Sequence, residues 1–169
     1  MTTTTTPAGS TSSSGATTTS STAPKIPRCA PQDLSITPEN PQGAAGTISV
    51  VFMMTNTSTR TCEMNGYPGI GMQYQDGKLA PTTAERGTGM SMKAWPSPTQ
   101  VTVQKGGSAY FIMDYSDVPT GNGTCATFPQ IAVTPPNDTG SVSVAFRASP
   151  CIQNGNYIVN VSAVSATKH

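Results

Sequence analysis

The side chains able to carry chemistry are few in this chain of 169 residues. Nucleophilic catalysis by Ser, Thr or Cys needs a base beside the nucleophile, most often histidine. The one histidine is His169, the final residue, where a chain end gives a base no fixed geometry. The eight acids are Asp33, Glu39, Glu63, Asp76, Glu85, Asp114, Asp117 and Asp138. A two-carboxylate mechanism holds its pair about 5 to 9.5 Å apart, and several of these acids fall in turn-like sequence, where Asp bonds its own backbone. Asp114 and Asp117, flanking Tyr115 and Ser116, suggest a cation, with solvation at a strand end as the plainer account. No catalytic residue is assigned.

Eight methionines raise the question of a soft metal, since thioethers select copper(I). They are Met1, Met53, Met54, Met64, Met72, Met90, Met92 and Met113, with Met90 and Met92 one residue apart. Exported copper sites of that kind combine Met with His, and no internal His is present. Most of these methionines sit in apolar, strand-like sequence, where Met fills gaps in a core. No metal site or cofactor is therefore expected, and a copper-binding domain using Met90 and Met92 is kept as the alternative function. Convergence of three or more sulfurs in one solvent-reachable pocket is what it requires.

Recognition chemistry leaves four residues. Tyr67 and Pro68 lie in Gly-Tyr-Pro-Gly, where the ring packs on the proline or offers a surface contact. Trp95 lies in a proline-flanked loop, and Trp is favoured at binding hot spots. Asn122 sits in a Gly-Asn-Gly loop. The Asn-x-Ser/Thr triplets at Asn56, Asn122, Asn137 and Asn160 are formal glycosylation acceptors, inert in a bacterial protein.

The elements that must hold these residues are framed by four cysteines. Cys29 and Cys62 flank Leu34-Ser35-Ile36-Thr37 and Thr47-Ile48-Ser49-Val50-Val51-Phe52. Cys125 and Cys151 flank Ile131-Ala132-Val133-Thr134 and Ser141-Val142-Ser143-Val144-Ala145-Phe146. In an antiparallel pair the residue before the first strand lies beside the residue after the second, so each frame closes its own disulfide, Cys29 to Cys62 and Cys125 to Cys151. Without Cys-x-x-Cys or a nearby His, zinc and thioredoxin-like chemistry are disfavoured. Stable disulfides belong outside the reducing cytosol.

Further strands are expected at Gly69-Ile70-Gly71-Met72-Gln73-Tyr74, closed by the Asp76-Gly77 turn, and at Gln100 to Val103 and Ala109 to Met113 on either side of Lys105-Gly106-Gly107. Tyr157 to Val164 reads as a last strand, alternating in its outer half. Residues 78–98 read as a short edge strand or a long loop folded on the sandwich. Eight or so short strands without a helical period predict an all-β fold, an antiparallel immunoglobulin-like β-sandwich with two disulfides. One domain spans 29–169. Residues 1–28, rich in Ser, Thr, Ala and Pro, bury too little apolar surface to order and are expected to form a disordered tether, with O-linked sugar one reading and a plain linker the other. A net charge of +1 offers no footprint for nucleic acid. No apolar run is long enough to span a bilayer. Met1 is followed by five threonines and not by a leader, so the expectation is that an export signal was cut away.

Several of these stretches recur together in one family. Thr55-Asn56, Thr61-Cys62, Met64-Asn65-Gly66-Tyr67-Pro68-Gly69, Gly106-Gly107-Ser108-Ala109, Asp117-Val118-Pro119, Val133-Thr134-Pro135-Pro136-Asn137 and Cys151 stand in that order. Over about residues 29 to 164 the chain resembles the actinobacterial domain of unknown function four-two-three-two. The resemblance implies a secreted protein or lipoprotein with a Cys-paired β-sandwich behind a Ser/Thr/Pro-rich tail, and it implies no activity. Lipid on a cysteine upstream of the tail is common in such proteins. No such cysteine occurs here, so a lipid anchor is a conjecture about a precursor. The expected function is that of a non-enzymatic, exported cell-envelope module that binds an unknown protein or envelope component, touching the membrane only through such a lipid. A carboxylate-dependent hydrolase of envelope polymers and an adhesin or phage-type surface module are the remaining rivals.

Overall fold

A computed structural model describes residues 1–4, 24–39, 41–90 and 94–168. The strands are β1 (Leu34–Pro38), β2 (Gln42–Ala44), β3 (Thr47–Asn56), β4 (Cys62–Met64), β5 (Gly69–Gln73), β6 (Thr82–Arg86), β7 (Val101–Val103), β8 (Ser108–Ser116), β9 (Phe128–Thr134), β10 (Val142–Ala148), β11 (Ile152–Gln153) and β12 (Asn156–Val161). The described residues contain no α-helix, only a 3₁₀ turn at Pro31–Asp33.

Alternation explains the layering. In β3 the side chains of Val50, Phe52, Met54 and Asn56 are buried, while those between them are half exposed. A period of two puts the first set on one face of the sheet. β3 pairs along its length with β8, Val50 opposite Met113 and Phe52 opposite Phe111, so the buried sets of both strands share a face. The larger sheet runs β1-β3-β8-β12-β11, with β2 beside β3 and β6 beside β12. A three-stranded sheet, β10-β9-β5, and a ribbon, β4-β7, complete the fold. Residues from all three contribute to one buried cluster. Phe52 stacks on Phe111 at 5.0 Å and meets the edge of Phe146 at 5.4 Å, which joins the two main layers. The fold is an antiparallel β-sandwich.

Both cysteine frames close as expected, Cys29 with Cys62 and Cys125 with Cys151. β1 pairs antiparallel with β3, and β9 with β10. The partners of several strands lay beyond the sequence reading. The two strands on either side of Lys105-Gly106-Gly107 belong to different sheets: β7 pairs with β4 and β8 with β3. The turn between them carries the chain from one sheet to another, and it docks on β3 through Gly106 N–H to the Asn56 carbonyl at 2.8 Å. The 78–98 stretch supplies a short edge strand, one of its two expected forms: β6 pairs in parallel with β12, a contact too distant in sequence for local pattern to reveal. The last strand is where the reading is corrected. β12 is not alternating beyond Val159, because 159–164 are buried throughout. β6 flanks that strand, and the Asn160 side-chain amide donates to the Thr88 carbonyl at 2.8 Å, so the following loop covers the outer face.

Candidate functional site: a cleft at the Pro129 bulge

β9 is the middle strand of its sheet, yet its second residue is proline. Proline has no N–H to give a ladder and is tolerated in such a strand only at an irregularity. The irregularity is present. Ala145 pairs with Gln130 and Ala148 with Phe128, leaving Phe146 and Arg147 opposite Pro129 alone. A bulge of this kind adds one residue and shifts which side chains face the core. The shift falls in β9, where Phe128 and Ile131, three positions apart, are both buried, while β10 keeps its alternation, with Phe146 in the core and Arg147 in solvent.

On the other edge of β9 the pairing with β5 also stops at this level, at Gln73 opposite Gln130. Tyr74 leaves the sheet with its N–H on the Lys78 carbonyl at 2.9 Å and its carbonyl accepting from Gln130 Nε2 at 3.2 Å. The Asp76-Gly77 turn holds this exit. Gly77 takes φ +84°, the left-handed region suited to glycine, and donates to the Tyr74 carbonyl at 3.0 Å. The Lys78 ammonium, 3.0 Å from Asp76, and the Lys78 N–H keep the Asp76 carboxyl below its ordinary range.

Between the two divergent edges lies a cleft of about 570 Å³ lined by Tyr74, Gln75, Thr127, Pro129 and Arg147, within the usual size of small-ligand sites, about 300–1,000 Å³. The Tyr74 ring is 43% exposed and rests on Phe128 at 5.1 Å, which in turn meets Tyr157 edge-on at 4.9 Å. An exposed aromatic face is thus backed by two rings of the core. The Thr127 and Ser149 hydroxyls bond each other at 2.9 Å. Arg147 enters none of the ion pairs found among the described residues, and no acid lines the cleft. The arrangement offers an apolar ring, a fixed positive charge and hydroxyl and amide groups. Its lining, Tyr74, Gln75, Thr127, Pro129 and Arg147, includes no Asp, Glu or His.

The residues singled out from sequence lie elsewhere and apart from one another. Tyr67 is half-buried, with the Arg86 guanidinium 5.8 Å from its ring centre and its hydroxyl against Gly87. Its neighbour Pro68 is buried. The Gly66 carbonyl accepts from Val164 N–H at 2.9 Å, so Gly-Tyr-Pro-Gly clasps the chain just past β12. Trp95 is half-buried, its N–H on the Gly87 carbonyl at 3.1 Å and its indole over Gly89. Asn122 is exposed and lines a separate shallow cleft with Ile152 and Asn154. Asp114 is 5% exposed with one oxygen 3.2 Å from the Met90 N–H, whereas Asp117 is exposed past the end of β8, so the two form no joint site. Among the described residues no group of three or more His, Cys, Asp or Glu is placed to hold a metal.

Met54, Met64, Met72 and Met113 are buried in the core cluster. Met90 is half-buried, while Met92 and His169 lie outside the described residues, as do residues 5–23 of the tail. Asn56 and Asn160 are buried and serve as structural amides. Sequence reasoning passed over Tyr74 and Arg147. The signal for both was Pro129, a proline just ahead of Ile131-Ala132-Val133-Thr134, which marks a place where pairing must fail.

A family model described as Domain of unknown function (DUF4232) matches residues 29–167. No curated protein matches the chain.

Proposed function

Taking as premise that the chain belongs to the family described as Domain of unknown function (DUF4232), we propose that it is a non-enzymatic, exported binding module of the cell envelope. Two disulfides suggest an oxidising, extracytoplasmic environment. Secretion or attachment to the outer face of the membrane is part of the proposal. No helix among the described residues is long and apolar enough to cross a membrane.

The observation that carries the reading is the Tyr74 and Arg147 cleft. Its recognition groups stand on a disulfide-closed sandwich, and nothing in it activates a nucleophile or water. Rigid backing matters here, because a ring already held by Phe128 loses little freedom on binding. The hydrolase rival requires two acids in one cleft, and the clefts described have at most Glu63. Copper binding finds no support in the four core methionines.

A thermal-shift screen of the oxidised chain against copper(I), Ca²⁺ and oligosaccharides from envelope polymers tests the proposal. A ligand of the native state raises Tm in proportion to its occupancy. The expected result is a rise with saccharide that disappears in Tyr74→Ala and no rise with either metal. Release of new reducing ends from the polymer, or a rise confined to copper(I), would overturn it.

A further inference from the structure

We propose that the Tyr74 and Arg147 cleft takes a carboxylate-bearing sugar, a uronic acid unit within an extracellular glycan. This rests on the binding-module reading and specifies its ligand. Two chemically distinct groups face one open space. The Tyr74 ring presents a flat apolar surface, 43% exposed and fixed from behind by Phe128, which suits the C–H face of a pyranose. The Arg147 side chain lines the same cleft, on the exposed face that the regular alternation of β10 gives it.

Charge complementarity sets the ligand's sign. Arg147 has no acidic partner among the described residues, and the cleft lining contains no carboxylate. The nearest charged turn, at Asp76 and Lys78, is already paired within itself. A guanidinium fork matches a planar carboxylate with two parallel hydrogen bonds. Gln75 and Thr127 line the same cleft with amide and hydroxyl groups that can bond sugar hydroxyls. The volume, about 570 Å³, admits one to two sugar units. The cleft is open rather than enclosed, as a site on a polymer chain must be.

The test is a ¹⁵N-HSQC titration of the full oxidised chain with tetragalacturonate, beside cellotetraose as a neutral probe of the same length. Shifts should cluster at 74–75, 127 and 147, with affinity at least tenfold greater for the acidic probe and falling as salt is added. Arg147→Gln, at an exposed position, should lower that affinity about tenfold, the 1.4 kcal/mol equivalent of one lost contact. Arg147→Lys should recover part of it, and Tyr74→Phe should keep the ring's share. Equal binding of both probes, shifts away from the cleft, or an Arg147→Gln variant that binds as well as the parent would each overturn the uronate assignment while leaving a binding module in place. Absence of shifts with the acidic probe overturns it too. Failure of every saccharide in the thermal screen would remove the underlying reading as well.

Discussion

At the residue scale, the buried polar groups show which side chains the fold cannot exchange. Asn56 is fully buried at the end of β3. Its amide donates to the carbonyls of Arg60 at 2.7 Å and Val103 at 3.0 Å, and its side-chain oxygen accepts from the Ser58 N–H at 3.0 Å and hydroxyl at 2.8 Å. One side chain thus ties β3 to the loop before β4 and to β7. Replacing it leaves the buried Val103 carbonyl without this donor and breaks the part-buried bonds to Arg60 and Ser58, an unpaired buried group costing about 1–3 kcal/mol. Asn56→Ala is expected to cost roughly 3 kcal/mol in urea denaturation. Gly89 is as constrained. A β-carbon there would stand 2.7 Å from an Asp114 oxygen and 2.9 Å from the Trp95 indole, so Gly89→Ala should lower Tm and loosen Trp95, seen as a change in its fluorescence. Burial raises the Tyr115 phenol above its ordinary value, with the Ser149 backbone opposing and Asp117 adding, and burial raises Tyr157 likewise. A raised phenol keeps its proton in the folded chain after the unfolded chain has begun to lose its own near pH ~10. Stability is therefore full below that pH and declines as pH rises above it. Tyr115→Phe should flatten this alkaline decline in stability measured against pH.

At the scale of elements, what the sequence made legible was local and what it hid was not. Period-two alternation and the paired cysteines mark β1 with β3 and β9 with β10, because neighbouring strands are set by short-range pattern. The Gly106-Gly107 turn shows the same limit. It has the composition of a hairpin but serves a change of sheet, decided by the docking of Gly106 and Gly107 on Asn56. The parallel pairing of β6 with β12 joins residues more than seventy positions apart, beyond any local signal. The cleft was legible only through Pro129, whose missing N–H interrupts the pairing of β9 with β10 beside it. The disulfides also differ as elements. Cys29 and Cys62 are both buried, and Cys29 N–H bonds the Glu63 carbonyl at 3.1 Å, whereas Cys125 is exposed. Exposure favours attack by a thiolate, so graded reduction followed by alkylation and mass mapping should find Cys125 and Cys151 labelled before Cys29 and Cys62. Each bond closes a loop worth roughly 3.5 to 4 kcal/mol in the chain-entropy account, and the Cys29→Ala/Cys62→Ala pair should lose about that much.

At the scale of the molecule, two disulfides that suggest an oxidising environment and a β-sandwich with one shared core carry the Tyr74 and Arg147 cleft proposed as a binding site. The sandwich supplies immobility: three sheets share one core, and Tyr74 is fixed against it through Phe128. Its surface charge is nearly balanced, at +1 overall, so recognition rests on one placed cation rather than on a broad field. The lining of the cleft comes from residues 74–75, 127, 129 and 147, so removing residues 1–23 should leave ligand affinity unchanged in a direct titration. The most direct measurement is equilibrium dialysis of the oxidised chain against oligosaccharides released from envelope polymers, with retained molecules weighed before and after prolonged incubation. The account predicts retention of an anionic saccharide of unchanged mass, lost in Arg147→Gln. Retention of nothing beyond that variant's level, or shortening of the retained molecule, would contradict it.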